Sequence, residues 1–295
     1  MNGLLLVDKG KGFTSFDVVA ITRKLTSQKK IGHTGTLDPN ATGVLPLLLG
    51  NATKAQDIIP NHDKEYVAGF KLGLTTDTLD IWGEIKSEVK SEVTLSELEK
   101  VLKHFRGEIE QIPPMYSAVS VDGKRLYDLA RKGIEVERKP RKITVYELEL
   151  LDFDENNQSG VLKVSCSKGT YIRTLIDDIG NELGVGAVMT SLDRTKACGF
   201  LKEQCLPLEK LKKLSPAEIE EKLISTENLF VSFPELTVSE AQAKRFSNGG
   251  ALDSSRTSLR SAENIEGNIY RIKYDDKFFG LGIVRDNEIK IYKHF

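Results

Sequence analysis

The stretch Gly32-His33-Thr34-Gly35-Thr36-Leu37-Asp38-Pro39-Asn40-Ala41-Thr42-Gly43, continued by Val44-Leu45-Pro46-Leu47-Leu48-Leu49-Gly50, decides how the rest of the chain is read. Three glycines, three threonines, a proline, a histidine and one carboxylate within twelve positions do not make a regular helix or strand. Glycine takes backbone angles that other residues avoid, and Pro39 fixes its own φ. Asp38 precedes that proline and is pushed toward an extended conformation. The apolar run from 44 to 49 reads as a buried strand. The pattern predicts a stiff polar loop hung on a core strand, its one carboxylate held by chain geometry. Loops placed in this way often carry chemistry.

Around this stretch lies an ordinary globular composition. Hydrophobic residues make up 39% of 295 and charged residues 29%, enough for a sizeable core in one large or two moderate domains. The formal charge of -1 gives no overall basic footprint, so any nucleic-acid surface must be local. Cys166, Cys198 and Cys205 are odd in number and lack C-x-x-C spacing, which predicts free thiols in a reducing, cytoplasmic setting. No signal peptide and no run of membrane-spanning length is expected. Gly-rich phosphate loops, Cys/His clusters and acidic metal triads are all missing from the pattern, which implies no metal or organic cofactor.

In chain order, Leu4 to Val7 reads as a buried strand and Asp8-Lys9-Gly10-Lys11-Gly12 as a turn. Thr14 or Ser15 caps a helix with Val18, Ile21 and Leu25 on one face. Asn51 is expected to cap a helix through about Ile59. Lys64 to Leu72 alternates as a strand, with Tyr66, Ala68, Phe70 and Leu72 on one face. Thr94-x-x-Glu97 is a capping box for an amphipathic helix. From Pro113 to Lys142, eight basic residues stand against four acidic ones, with Tyr116 and Tyr127 interleaved. This is the local basic segment, suited to phosphate contacts. Ile143 to Phe153 and Val161 to Cys166 read as a hairpin. Arg173 then falls in the first turn of a helix, against the macrodipole, and asks for an acidic partner. After Phe233-Pro234 come a helix from Val238 to Gly250 and strands near 269–272, 278–284 and 288–292.

The block from Gly32 to Pro46 resembles, without a break, the signature G-H-T-G-x-L-D-P-x-A-T-G-x-L-P of the TruB family of pseudouridine synthases. Further segments resemble the family in its own order. Asp8 to Phe16 is similar to D-K-P-x-G-x-T-S, with Gly10 in place of the proline. Lys64-x-Tyr66 resembles K-x-Y, Thr76 to Asp80 resembles T-D-T-x-D, and Pro113 to Ala118 resembles P-P-x-Y-S-A. Ser167 to Leu175 resembles S-x-G-T-Y-I-R-T-L. Leu192-Asp193-Arg194-Thr195 resembles L-R-R-T, except that Asp193 stands where a basic residue is usual.

The resemblance implies an α+β pseudouridine synthase fold, a central mixed or antiparallel sheet flanked by helices, over residues 1–232. Residues of about 113–142 would be an RNA-clasping insertion. A small PUA-like β-barrel domain for RNA binding would occupy 233–295. It implies isomerisation of uridine 55 in the tRNA T loop after base flipping, with no cofactor and no metal. Asp38 would be the catalytic carboxylate, as nucleophile or as base. Arg173 would keep it charged and aimed, and Tyr66 would stack on the base and accept or relay a proton. His33, Lys64, Asp80, Tyr171 and Leu192 would bind substrate, His33 by occupying the vacated stack. Asp38 is further expected to be poorly exposed and within hydrogen-bond reach of Arg173. The partner would be the tRNA T stem-loop, with no membrane, no obligate protein partner and a monomeric state. Two alternatives stand beside this reading: a guide-RNA-dependent enzyme of the same fold, and a non-catalytic RNA-binding or tRNA-folding protein.

Overall fold

Two sheets organise the computed structural model, which describes residues 1–117, 119–121, 123–259 and 265–295. Ala118 of the Pro113 motif and Asp122 of the basic segment lie outside the described residues. The larger sheet has ten strands. Its main path runs Leu206–Pro207, Gly3–Lys9, Thr42–Leu49, Ala187–Ala197, Lys64–Leu72, Ser159–Cys166, Arg141–Asp154 and Gly107–Gln111. Pairing is antiparallel except between Gly3–Lys9 and Leu206–Pro207 and between Thr42–Leu49 and Ala187–Ala197. The sheet is therefore mixed and mostly antiparallel, as the resemblance implied.

Alternation along the strands sorts the core into two faces. Leu5, Leu47, Tyr66, Ala68 and Phe70 join the helices Ser15–Thr26, Leu95–Leu102 and Ile172–Glu182 in one cluster. Leu4 and Leu48 point the other way, against Leu229, Phe230 and Leu281. Thr14 and Thr94 each close a capping box at their helix starts. Such caps satisfy amide groups that would otherwise be unpaired.

One local expectation changes. The helix from Asn51 to Ile59 is instead a 3-10 turn, Gly50–Ala55. The Thr53 hydroxyl donates to the Gly50 carbonyl at 2.8 Å, the carbonyl an α-helix would pair with the amide of residue 54. The opening stretch is also less irregular than its composition suggests. Gly32 and His33 complete the short strand Ile31–His33, and Thr42 and Gly43 begin Thr42–Leu49, so the loop proper is residues 34–41.

Residues after Pro234 form the second sheet, in the order Glu235–Thr237, Ile269–Tyr274, Lys277–Arg285, Glu288–Lys293, Leu252–Asp253. With the helix Glu240–Ser247 it encloses its own core around Phe246, Tyr270 and Ile272. It meets the larger sheet through Leu281 and a ring cluster in which Phe295 lies 5.2 Å from Phe230 and 5.8 Å from Phe278.

Candidate active site

The loop 34–41 sits where one edge of the Thr42–Leu49 strand is divided between two neighbours. Its first residues pair with Asp193 and Arg194, and its last pair with Ile31–His33. Arg194 fills the fork between them. This side chain is 1% exposed, and its guanidinium donates to the carbonyls of Val44 at 2.7 Å, Gly35 at 3.1 Å and Thr36 at 3.4 Å. From the other side comes Lys9, fully buried, whose ammonium reaches the carbonyls of Gly10, Phe13 and Pro39 at 3.0, 2.7 and 3.2 Å. Burial pushes this ammonium down to about 8, against the pull of Asp38. Ser15 closes the loop base: its Oγ accepts from the Leu37 amide at 2.8 Å and donates to the Leu37 carbonyl. Asp38 is thus aimed by a backbone pinned at Gly35, Thr36, Leu37 and Pro39.

Asp38 and Arg173, distant in sequence, meet here. Arg173 Nε lies 3.0 Å from Asp38 Oδ2. The guanidinium is otherwise committed to the Thr78 carbonyl through Nη1 (3.0 Å) and the Tyr116 carbonyl through Nη2 (2.9 Å), with Asp80 Oδ2 at 3.9 Å from Nη1. The partner that an arginine in a helix's first turn asks for is therefore a pair of carboxylates. Leu79, between Thr78 and Asp80, has φ +62°, a left-handed value rarely adopted by leucine. The Met189 amide holds its carbonyl at 3.1 Å. The helix of Arg173 is fixed in turn by Gln111, which exchanges two hydrogen bonds with the Tyr171 peptide. One expectation is corrected. The Asp38 side chain is 40% exposed, because only Oδ2 is covered by Arg173 and Oδ1 faces the cleft mouth.

The cleft has a volume of about 350 Å³. Asp38, Lys64, Tyr66, Tyr171, Arg173 and Leu192 all line it. Tyr66 is 6% exposed, and burial holds its phenol up to about 12, so it keeps its proton at neutral pH. Lys64 donates to the His62 carbonyl at 2.7 Å, and burial together with Arg194 lowers its pKa. His62 and Lys168 line the same wall, and sequence reading had not singled them out. His33 and Asp80 do not line the cleft. His33 lies behind the loop with Nδ1 buried and unpartnered, and burial, reinforced by Arg194, favours its neutral form. Asp80 stands behind Arg173, its Oδ1 accepting from the Thr78 hydroxyl at 2.7 Å and the Trp82 amide at 3.2 Å.

Asp193 has a structural occupation. Lys202 reaches its two oxygens at 2.8 and 2.9 Å, and the Thr42 hydroxyl donates to Oδ1 at 2.5 Å. The turn through Cys198 (φ +53°) and Gly199 (φ +85°) brings Lys202 back to it.

What this arrangement can do chemically is present one carboxylate oxygen, held by a guanidinium, to a flat ligand lying on Tyr66 and Leu192 in a cation-rich cleft. Comparison with known proteins gives it a family. The model of the TruB family pseudouridylate synthase N-terminal domain matches residues 23–172, and that of the tRNA pseudouridylate synthase B C-terminal domain matches residues 173–229. The chain is 46% identical to tRNA pseudouridine synthase B of Clostridium tetani, over 99% of both chains. It is 44% identical to the protein of that name from Clostridium perfringens, over 99% of this chain and 98% of the other. A solved Cbf5-Nop10-Gar1 complex contains a chain that superposes with a TM-score of 0.74 at 26% identity, over 99% of this chain and 84% of that one. The chain belongs to the TruB family of pseudouridylate synthases.

Proposed function

We propose that this protein isomerises uridine 55 in the T loop of tRNA to pseudouridine. The observation that carries this reading is the Arg173–Asp38 pair at the mouth of a cleft backed by Tyr66 and Leu192. The near full-length relatives named tRNA pseudouridine synthase B support the choice of substrate. In the reaction the N1–C1′ bond breaks, the uracil turns over, C5 joins C1′, C5 loses its proton and N1 gains one. Nothing else enters or leaves.

Asp38 Oδ2 is occupied by Arg173, so Oδ1 is the oxygen that adds to ribose C1′ or removes a ribose proton. Tyr66, holding its own proton, stacks on the base and donates rather than accepts. Tyr171 and Leu192 wall the pocket, and Lys64 faces the ribose–phosphate. His33 props the loop from behind, and Asp80 orients Arg173. Extruding the uridine costs on the order of a few kcal/mol, offset by these contacts. Residues 1–232 serve as the catalytic domain, with the clasp at about 113–142, and 233–295 as a PUA-like RNA-binding domain. The protein acts as a monomer in the cytoplasm.

The test is conversion of a T-arm stem-loop by the isolated protein and by Asp38→Asn. Wild type is expected to convert it with nothing added, and Asp38→Asn to be inert. Appreciable turnover by Asp38→Asn sinks the role of Asp38. The likeness to the Cbf5 chain favours, as a second reading, an enzyme that needs a guide RNA and partner proteins. Inactivity of the isolated wild type on tRNA would favour that reading instead.

A further inference from the structure

A second cavity, of about 470 Å³, lies on the far side of Tyr116 from the cleft and shares that tyrosine as a wall. One side is the outer face of the Ile172–Glu182 helix. Thr174, Asp177 and Asp178, three and four positions apart, all line the cavity, while Leu175, Ile176 and Ile179 face the core. The Thr174 side chain is 95% buried by its 5% exposure, and its hydroxyl has no hydrogen-bond partner. Asp177 has one oxygen on Asn181 at 3.1 Å. Asp178 makes no hydrogen bond or ion pair among the described residues. Burial first, and Asp177 second, push its carboxyl up to about 6. The opposite wall is apolar, formed by Ile112, Met115 and Ile134, the two isoleucines being 48% and 47% exposed.

Four carboxylates line this cavity against two cations. Of the cations, Arg138 is already engaged with Glu135 and the Pro113 carbonyl. Lys86 lies close enough to Asp177 to oppose the rise in its pKa. Asp178 and the Thr174 hydroxyl are left facing open space. A buried polar group without a partner costs free energy, and each of these two atoms accepts a hydrogen bond from a cationic donor. No group of three or more His, Cys, Asp or Glu among the described residues is arranged to hold a metal ion. The apolar wall, moreover, asks for a hydrocarbon stem.

We propose that this cavity binds a primary alkylammonium of the diamine or polyamine class, its head on Asp178, Asp177 and the Thr174 hydroxyl and its methylenes along Ile112, Met115 and Ile134. The bound ammonium sits one helix position from Arg173 and against Tyr116, whose carbonyl holds Arg173. Ligation there braces the segment that closes the catalytic cleft.

The experiment is calorimetric titration of the full-length protein, without RNA, with spermidine, putrescine, MgCl2 and a lysine blocked at both its α-amino and carboxyl groups. Titrations are run at about pH 8 and about 0.1 M KCl, where Asp178 is ionised and exposed ion pairs are screened. Saturable one-to-one binding of spermidine is expected, weaker by roughly tenfold or more in Asp178→Asn and by about threefold in Thr174→Val. Both variants are checked for a native melting transition, and the Thr174→Val arm stands if Asp178→Asn fails to fold. Absence of saturable binding, equal affinity in both variants, or displacement of spermidine by an equal charge of Mg2+ overturns the proposal. So does tighter binding of the blocked lysine than of putrescine, which would reassign the cavity to a protein side chain.

Discussion

Replacing Arg173 with lysine keeps one positive charge in the site and removes the planar fork that distributes it. Three different nitrogens of that fork serve three acceptors: Asp38 Oδ2 at 3.0 Å, the Thr78 carbonyl at 3.0 Å and the Tyr116 carbonyl at 2.9 Å. A single ammonium cannot reach all of them. Asp80, its side chain 14% exposed, competes for that ammonium better than Asp38 at 40%, because attraction is less damped where water is scarcer. Asp38 is then the acceptor left unheld. A hydrogen bond to a charged group contributes about 1.5–3 kcal/mol, and each 1.36 kcal/mol is tenfold in rate, so the chemical step should slow roughly 10- to 150-fold. The assay is single-turnover release of tritium from C5 of a labelled T-arm stem-loop with enzyme in excess, which separates chemistry from product release. Arg173→Met, measured beside it, leaves two carboxylates without a cation. It should be slower still and less stable by about 3 kcal/mol. A folded lysine variant within about threefold of wild type would refute the reasoning, since the fork would then contribute nothing to the reacting carboxylate.

Three further outcomes follow from the same geometry. Arg194→Met frees the carbonyls of Gly35, Thr36 and Val44, so it should lower stability by about 3 kcal/mol in urea melts and reduce kcat more than it raises KM. Gly43→Ala places a Cβ 2.2 Å from the Arg194 carbonyl at φ +103°, and is expected to unfold at a melting temperature at least about 8 °C lower. Asp178 has a carboxyl raised to about 6 in the folded state, so the folded protein binds its proton more tightly than the unfolded chain. Stability therefore falls as pH climbs from about 4 to about 6, and the full penalty is present above that. Asp178→Asn should be more stable than wild type by about 1 kcal/mol at neutral pH, allowing for the solvent that still reaches the group. In urea melts the difference should vanish near pH 4, and an equal gap at both pH values would contradict the assignment.

Legibility in the sequence followed local density. The Asp38 loop could be read because glycine, proline and threonine crowd it, and Arg173 because a cation in a helix's first turn violates an electrostatic preference. Lys64, Tyr66 and Leu192 sit on alternating strands whose inward positions are plain. Arg194 and Lys9 could not be read in this way. Each is a cation at a strand position, and only the fold shows that its surroundings are backbone carbonyls rather than water. Asp193 looked like a lost phosphate contact. Its real partners, Lys202 and Thr42, depend on a hairpin and a sheet pairing that no local pattern announces. The exposure of Asp38 was misjudged for a related reason: a carboxylate can be tightly oriented through one oxygen while the other remains wet.

The division of the Thr42–Leu49 edge between near and distant neighbours also has a kinetic meaning. Thr42 is bonded to Asp193, 151 positions further along the chain. Until the Ala187–Ala197 strand has left the ribosome, Thr42–Leu49 and Lys64–Leu72 each lack the neighbour that joins them, and each presents a bare apolar edge. Contacts of such span form slowly, and unpaired edges are where nascent chains stick to one another. Synthesis that stalls before residue 187 should therefore yield an aggregation-prone fragment rather than a weak enzyme.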